Sequence, residues 1–390
     1  MTAPAQHAGR PRFDIADIVR QHQLELEELQ ALSLDQRRAL DAMAVCRTAA
    51  LGGHLDVCPG CGFERPAYNS CRNRHCPKCQ ALAQEQWISA RAERLLPIPH
   101  FHVVFTLPSE LRPVARKHPR LVYDALLRAA AETLLDLGHS HLHATLGVTA
   151  VLHTWTRALT FHPHVHALVT AGGLGHGDAA FVHAKPKYLF PVKVMGELLR
   201  GKMMDSIRRL HHCGKIGAFN PADFNRLMAR LARTSWVVYA KKPFRKVRHV
   251  LSYLGRYTHR VAISNSRLVE VTPDHVTFRT KDGKTLTLAP ACFLGRFVQH
   301  VLPDGLKKIR HYGLYASANV LGALAVARAL LEPSHSPSTP VARPPSPSWL
   351  DQLLELTGRD ASSCPRCGHA LQRHILPATS PRPPPRRTAA

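Results

Sequence analysis

The 390-residue chain carries 52 Lys and Arg against 27 Asp and Glu, a formal charge of +25, and 45% of its residues are hydrophobic. That length and apolar content exclude a disordered chain and suit two or three globular domains, while the charge exceeds what solubility needs and points to a polyanion, nucleic acid first. No stretch approaches about 18 uninterrupted apolar residues and "MTAPAQHAGRPRF" has no apolar signal core, so neither a membrane span nor secretion is expected, and a soluble cytoplasmic protein is.

Ile15, Ile18, Val19, Leu26, Leu29 and Leu32 recur as one helical face, and Ser33 with Gln36 has capping-box spacing ahead of "LDQRRALDAMAVC", so two helices lead. Six of the ten cysteines then crowd between Cys46 and Cys79. Such clustering without a secretion signal favours metal over disulfides. Cys58 and Cys61, fourteen residues, then Cys76 and Cys79 supply two CxxC knuckles whose thiolates suit a tetrahedral Zn²⁺. Cys46, His54, Cys71 and His75 are enough for a second ion, or they pack or face solvent. Four protein ligands leave no open position, so this zinc is expected to be structural, folding a basic module in which Arg72, Arg74 and Lys78 touch DNA. "ALAQEQWISARAERLL" continues as a helix until Pro97 and Pro99.

From His100 the texture changes. "FHVVFTLP" is a short β-branched and aromatic run, expected as a buried strand, and a helix is expected from about Arg120 to Leu137. "LGVTAVLHTWTRALTFHPHVHALVTAGGL" reads as two strands ending at Gly172 and Gly173. On the second strand His162, His164 and His166 stand at i, i+2 and i+4 and share a face. A solvated histidine-rich strand is the plain alternative in a chain with 26 histidines, but the apolar flanks imply burial, and buried imidazoles need partners. Imidazoles from one strand face make half of an open divalent-metal site. Two enzyme classes use such a strand: the histidine-triad nucleotide hydrolases, and the HUH endonucleases, which add a nucleophilic tyrosine.

Farther on, "RLMARLART" continues as a helix and "WVVYAKK" as a strand, and "VLSYLGRYTHRVAIS" reads as a helix with Tyr253 and Tyr257 four residues apart on one face. Aromatic packing explains such a pair as well as chemistry does. Lys241, Lys242, Arg245, Lys246 and Arg248 form a basic run suited to a single-strand DNA track, and Arg256, His259 and Arg260 either clamp phosphates or are ordinary surface charge. "RLVEVTPDHVTFRTKDGKTLTLAP" reads as strands turning at Pro273-Asp274 and Asp282-Gly283. Its Gly283-Lys284-Thr285 lacks the upstream glycine of a P-loop, so no nucleotide cofactor is expected. A Pro/Ser linker from about 331, a half-knuckle at Cys364 and Cys367 that His369 or His374 would complete if it holds metal at all, and a basic disordered tail close the chain.

"SCRNRHCPKCQ", "FHVVFTLP", "HTW…FHPHVHALVTAGGL", "YLGRYTHRVAISN" and "FVQHVLPDGLKKIRHYGLY", in that order over roughly residues 40 to 330, resemble the two-tyrosine rolling-circle transposases of the insertion sequence 91 family. The resemblance implies an α+β fold, a Rep-like HUH domain whose central antiparallel sheet presents the histidines, preceded by a small zinc-binding domain. It further implies catalytic Tyr253 and Tyr257, and Mg²⁺ or Mn²⁺ on His164 and His166, with His162 the expected third ligand and His249 the alternative. One tyrosine would attack a phosphodiester at a transposon end to give a 5′-phosphotyrosine and a free 3′-OH, and two would permit two joints in one site. The partner is then single-stranded DNA, with a host helicase for unwinding, in a bacterial, nucleoid-associated setting. Expected segments are an N-terminal helical part (1–40), the zinc-binding domain (41–97), the HUH domain (98–330) and the C-terminal linker, half-knuckle and tail (331–390). A non-catalytic zinc-dependent DNA-binding regulator is the rival from another class; it leaves the histidines and tyrosines idle.

Overall fold

Asp14 and Ser33 set the first two helices among the described residues. In the computed structural model, the Asp14 carboxylate accepts from the Ala16 N–H and starts α1, Ile15–Leu29, and Ser33 with Gln36 forms the full reciprocal capping box at the start of α2, Leu34–Ala44. The structure describes residues 11–79, 94–177, 180–217, 219–244, 262–332 and 360–379, with isolated positions between 84 and 91 and between 348 and 358. Most of the helix expected after Cys79 lies outside these residues, as does the whole tyrosine segment, 245–261.

Short strands β1 (Gly53–Val57) and β2 (Glu64–Tyr68) follow, then β3 (His100–Thr106), α3 (Arg112–Lys117) and α4 (Pro119–Leu142). Long antiparallel strands β4 (Ala144–Trp155) and β5 (Phe161–Gly175) lead to β6 (Phe181–His183), α5 (Val192–His212), α6 (Pro221–Arg233) and β7 (Val238–Phe244). Helix α6 buries Phe224, Leu227, Met228 and Leu231, the i, i+3, i+4, i+7 stripe that made it legible. The meander β8 (Leu268–Val271), β9 (Val276–Arg279) and β10 (Thr285–Leu288) turns where expected, and α7 (Pro290–Val298), β11 (Ile309–Gly313), α8 (Ala323–Leu331) and β12 (Gln372–Leu376) complete the described elements.

Contacts divide the chain into two units, Met1–Gln84 with His259–Val301 and Thr339–Ala390, and Glu85–Thr258 with Leu302–Ser338. The expected boundaries put residues 259–301 inside one span, 98–330, and the C-terminal knuckle in a segment of its own. By contacts both group with the N-terminal helices: α1 packs on α7, and β12 adds to β1 in the sheet order β12-β1-β2.

The second unit is built on one antiparallel sheet, β11-β4-β5-β3-β7, with β6 beside β5. Gly172 lets β6 approach, because a Cβ there would collide with the Val182 carbonyl oxygen. Strand alternation sorts the two faces. Phe101, Val103 and Phe105 of β3, Val148, Ala150 and Leu152 of β4, and Val165, Ala167 and Val169 of β5 join one core with residues of α4 and α5. Their neighbours, His102, Val151, His153, His164, His166 and Leu168, therefore project from the opposite face. This is the α+β architecture with a central antiparallel sheet that the resemblance implies.

Candidate functional site

Three histidines converge on the sheet face opposite the α4 and α5 core, the face whose Val151 and Leu168 pack with Leu324 and Ala327 of α8. His153, His164 and His166 place one ring nitrogen each within 4.8 Å of one another. His164 and His166 stand two apart on β5, and His153 is the direct cross-strand partner of His164 on β4, where the register shifts between His153 and Trp155. The Trp155 ring stacks on His153 with centroids 4.7 Å apart.

Hydrogen bonds fix how these rings are turned. His164 Nδ1 donates to the His162 carbonyl at 2.7 Å, and His166 Nδ1 meets His102 Nε2 at 2.8 Å. The Nε2 atoms of His164 and His166 then face each other at 3.0 Å. Ligands at right angles on an ion with metal–nitrogen bonds of about 2.1 Å stand about 3.0 Å apart. Burial, foremost, pushes His164 down to about 4 and His166 well below its ordinary value, and likewise lowers His102 to about 4 with help from Lys241 and His164. The rings are neutral at neutral pH, the state that binds metal. The donor set thus fits a divalent cation, with the remaining coordination positions left to other ligands.

The third ring gathered with His164 and His166 is that of His153 on β4, and the His162 ring, expected there from the sequence, stands apart from the group. The His162 side chain turns to Arg112, whose guanidinium meets Nδ1 at 2.9 Å, and its backbone carbonyl orients His164. His249, Tyr253, Arg256, Tyr257, His259, Arg260, Arg245, Lys246 and Arg248 all fall in 245–261, outside the described residues. Lys241 and Lys242 lie in β7, with Lys241 exposed.

His100 of β3, also buried, is held by two hydrogen bonds. His100 Nδ1 donates to the Ile98 carbonyl at 2.8 Å and its Nε2 accepts from the Tyr315 hydroxyl at 2.7 Å, and burial lowers it to about 4. A folded pKa below the unfolded value of about 6.5 means that the unfolded chain takes up a proton first as pH falls. Stability is therefore expected to fall between pH 6.5 and 4, by up to about 1.4 kcal/mol per pH unit for this residue. Urea midpoints across that range should show a shallower slope in His100→Gln; an equal slope would remove His100 from the account.

The cysteines sort differently from the expected pairing. Cys76 and Cys79 join Cys46 and Cys71, all four sulfurs lying within 4.8 Å, with Cys46–Cys79 at 3.3 Å and Cys71–Cys79 and Cys46–Cys76 at 3.6 Å. Hydrogen bonds among the four thiols pull Cys79 far down and bring Cys46 to about 7 while pushing Cys71 and Cys76 up, so they act as one cluster. Lys78 ties this knuckle to the helices, bonding the Cys46 carbonyl at 3.2 Å and Asp14 at 2.6 Å. Cys58 and Cys61 instead face Cys364 and Cys367, again within 4.8 Å. His54 lies 3.6 Å from Asp56, and His75 turns to Asn73, so neither imidazole joins a sulfur group. His369 and His374 do not complete a site either: His369 covers Gly60, and His374 pairs with Leu55 in the β12–β1 ladder.

Comparison with known proteins now bears on these two centres. Residues 18–107, which hold Cys46, Cys71, Cys76 and Cys79, match the family described as "Transposase zinc-binding domain", and residues 147–320, which hold the three histidines, match the family described as "Putative transposase". The "Putative transposase y4qJ" of Sinorhizobium fredii (strain NBRC 101917 / NGR234) is 41% identical over 370 residues, covering 91% of this chain and 92% of that protein. The "Transposase for insertion sequence element IS801" of Pseudomonas savastanoi pv. phaseolicola is 31% identical over 286 residues, 70% of this chain and 69% of that one. No solved structure matches. Among the described residues no helix is long and apolar enough to cross a membrane. Similarity that runs through both the thiol-rich and the histidine-bearing regions leaves one conclusion: the chain belongs to the insertion sequence 91 family of transposases, with an N-terminal domain that binds structural zinc.

Proposed function

We propose that this DNA-acting transposase nicks and rejoins single-stranded DNA at transposon ends through a 5′-phosphotyrosine intermediate, driving rolling-circle transposition. The observation that carries the reading is the convergence of His153, His164 and His166, one ring nitrogen of each within 4.8 Å of the others, with the His164 and His166 rings oriented by bonds at their Nδ1 atoms. A divalent cation bound there, Mn²⁺ in preference to Mg²⁺ for an all-nitrogen donor set, supplies Lewis-acid stabilisation of charge developing on a non-bridging phosphate oxygen.

The chain's own groups do the rest. The hydroxyl of Tyr253 or Tyr257 attacks phosphorus, its oxygen forming the new ester as the bond to the 3′ oxygen breaks; the phenolic proton leaves and the 3′ oxygen gains one. One ester replaces another, so the link is retained for rejoining. The second tyrosine then accepts a second strand while the first joint persists. His102 holds the His166 ring and the His162 carbonyl holds that of His164. Lys241, Lys242, Arg245, Lys246 and Arg248 provide a backbone-tracking path for single-stranded DNA, with Arg256, His259 and Arg260 close to the nucleophiles in sequence. No helicase signature occurs in the sequence, so a host helicase supplies unwinding.

Labelled single-stranded end DNA incubated with the protein and Mn²⁺, then run on a denaturing gel, should show a free 3′-OH product and a protein-linked 5′ fragment. Chelation should abolish both and added Mn²⁺ restore them. Undiminished cleavage in chelator would contradict a metal-dependent reaction.

A further inference from the structure

We infer that Cys58, Cys61, Cys364 and Cys367 form a second tetrathiolate zinc site, split between the two ends of the chain, that fastens the C-terminal segment onto β1. The partners are 309 and 303 residues apart: Cys58 Sγ lies 3.3 Å from Cys367 Sγ, and Cys61 Sγ lies 3.6 Å from Cys364 Sγ. All ten cysteines are free thiols. A tetrahedral ion with zinc–sulfur bonds of about 2.3 Å has sulfur–sulfur edges of about 3.8 Å, whereas a disulfide needs about 2.05 Å. The spacing suits an ion.

Two matched loops build the site. "CPGCG" at 58–62 and "CPRCG" at 364–368 are the same knuckle, and the third CxxC, "CPKCQ", is not. Gly62 and Gly368 take φ of +67° and +78°, the turn that only glycine adopts freely. In each loop the glycine N–H donates to the first cysteine's carbonyl, at 3.0 Å and 2.9 Å, and the first cysteine's N–H donates to the carbonyl five residues on, Phe63 or His369, at 2.8 Å in both. Those fifth residues cross over. Phe63 receives the Arg366 guanidinium at 5.1 Å, and the His369 ring sits where a Cβ on Gly60 would be 3.1 Å from its Nδ1. Gly60 and Arg366 hold equivalent places, so the ring of each loop meets the same position of the other.

The sheet beside the loops is made for the same union. β12 pairs with β1 from Gly53↔Leu376 to Val57↔Gln372, and the buried Asp56 carboxylate accepts from Arg373 Nε at 2.8 Å and from Arg65 at 3.0 Å. Arg65 also donates to the Ala361 carbonyl at 2.7 Å. The matched zinc-binding region ends at residue 107, so Cys364 and Cys367 lie outside it and half of this site with them.

Elemental analysis of the full-length protein should give two zinc ions per chain, falling to one in Cys364→Ser/Cys367→Ser and to one in Cys71→Ser/Cys76→Ser. The unaltered protein supplies a second measurement: mass-spectrometric mapping of alkylation should show Cys61 and Cys367, exposed as they are, protected with zinc bound and reactive, together with Cys58 and Cys364, once zinc is stripped. One zinc per chain in the wild type, two in the Cys364/Cys367 variant, or a Cys58–Cys367 disulfide in the zinc-loaded protein would each overturn the site.

Discussion

Replacing His153 by alanine is expected to lower Mn²⁺-dependent nicking by about 10²–10³-fold, the loss typical when one element of a preorganised electrostatic site goes. His164→Ala and His166→Ala should do the same. All three should keep DNA binding and the zinc content, because the thiol groups belong to the other unit. His162→Ala separates this arrangement from a same-strand triad: it removes the ring that meets Arg112 but leaves the carbonyl that orients His164. Most activity should survive it, whereas His102→Ala, which frees the His166 ring, should cost about 10–100-fold. Nicking rates against Mn²⁺ concentration measure all five. A His162 variant as inert as the His153 variant would return the third ligand to β5.

The double substitution Tyr253→Phe/Tyr257→Phe is expected to abolish the covalent protein–DNA adduct. Phenylalanine removes only the hydroxyl and preserves the ring, so any packing role is retained and the thermal transition should shift by no more than a few degrees. Each single variant should retain the first or the second transfer but not both, which shows in whether cleaved ends are rejoined. If the pair serves packing alone, both singles and the double keep full activity. Denaturing gels of the labelled reaction distinguish the two results directly.

How much of this the sequence carried depends on the range of the interaction. Alternation put His164 and His166 on one face because the β period is a local property. The capping box at Ser33 and the stripe of α6 were legible for the same reason. His153 stood in the quoted "HTW", but its place opposite His164 depends on strand register and a bulge, which one sequence does not display. The thiol grouping is a long-range property in the same way: two neighbouring CxxC pairs invite a local site, while the sulfurs nearest Cys58 and Cys61 lie beyond residue 360. A signal did exist there, the shared Cys-Pro-x-Cys-Gly of residues 58–62 and 364–368, which Gln80 breaks in the third knuckle. Helix α5, with Gly196 and Gly201 inside it, gave a weak periodic signal, and α7 buries nearly every residue and so shows no polar face to mark it.

The central claim is that a tyrosine of this chain becomes linked to the DNA 5′ end, and peptide mapping of the trapped adduct tests it most directly. Trypsin cleaves after Arg248, Arg256 and Arg260, so Tyr253 falls in the peptide 249–256 and Tyr257 in the peptide 257–260. After nuclease trimming, the nucleotide mass is expected on one of these two peptides, and its identity names the phenol that attacks first. A link to a histidine of β5 or to any peptide outside 249–260, or efficient cleavage with no link at all, would contradict the account.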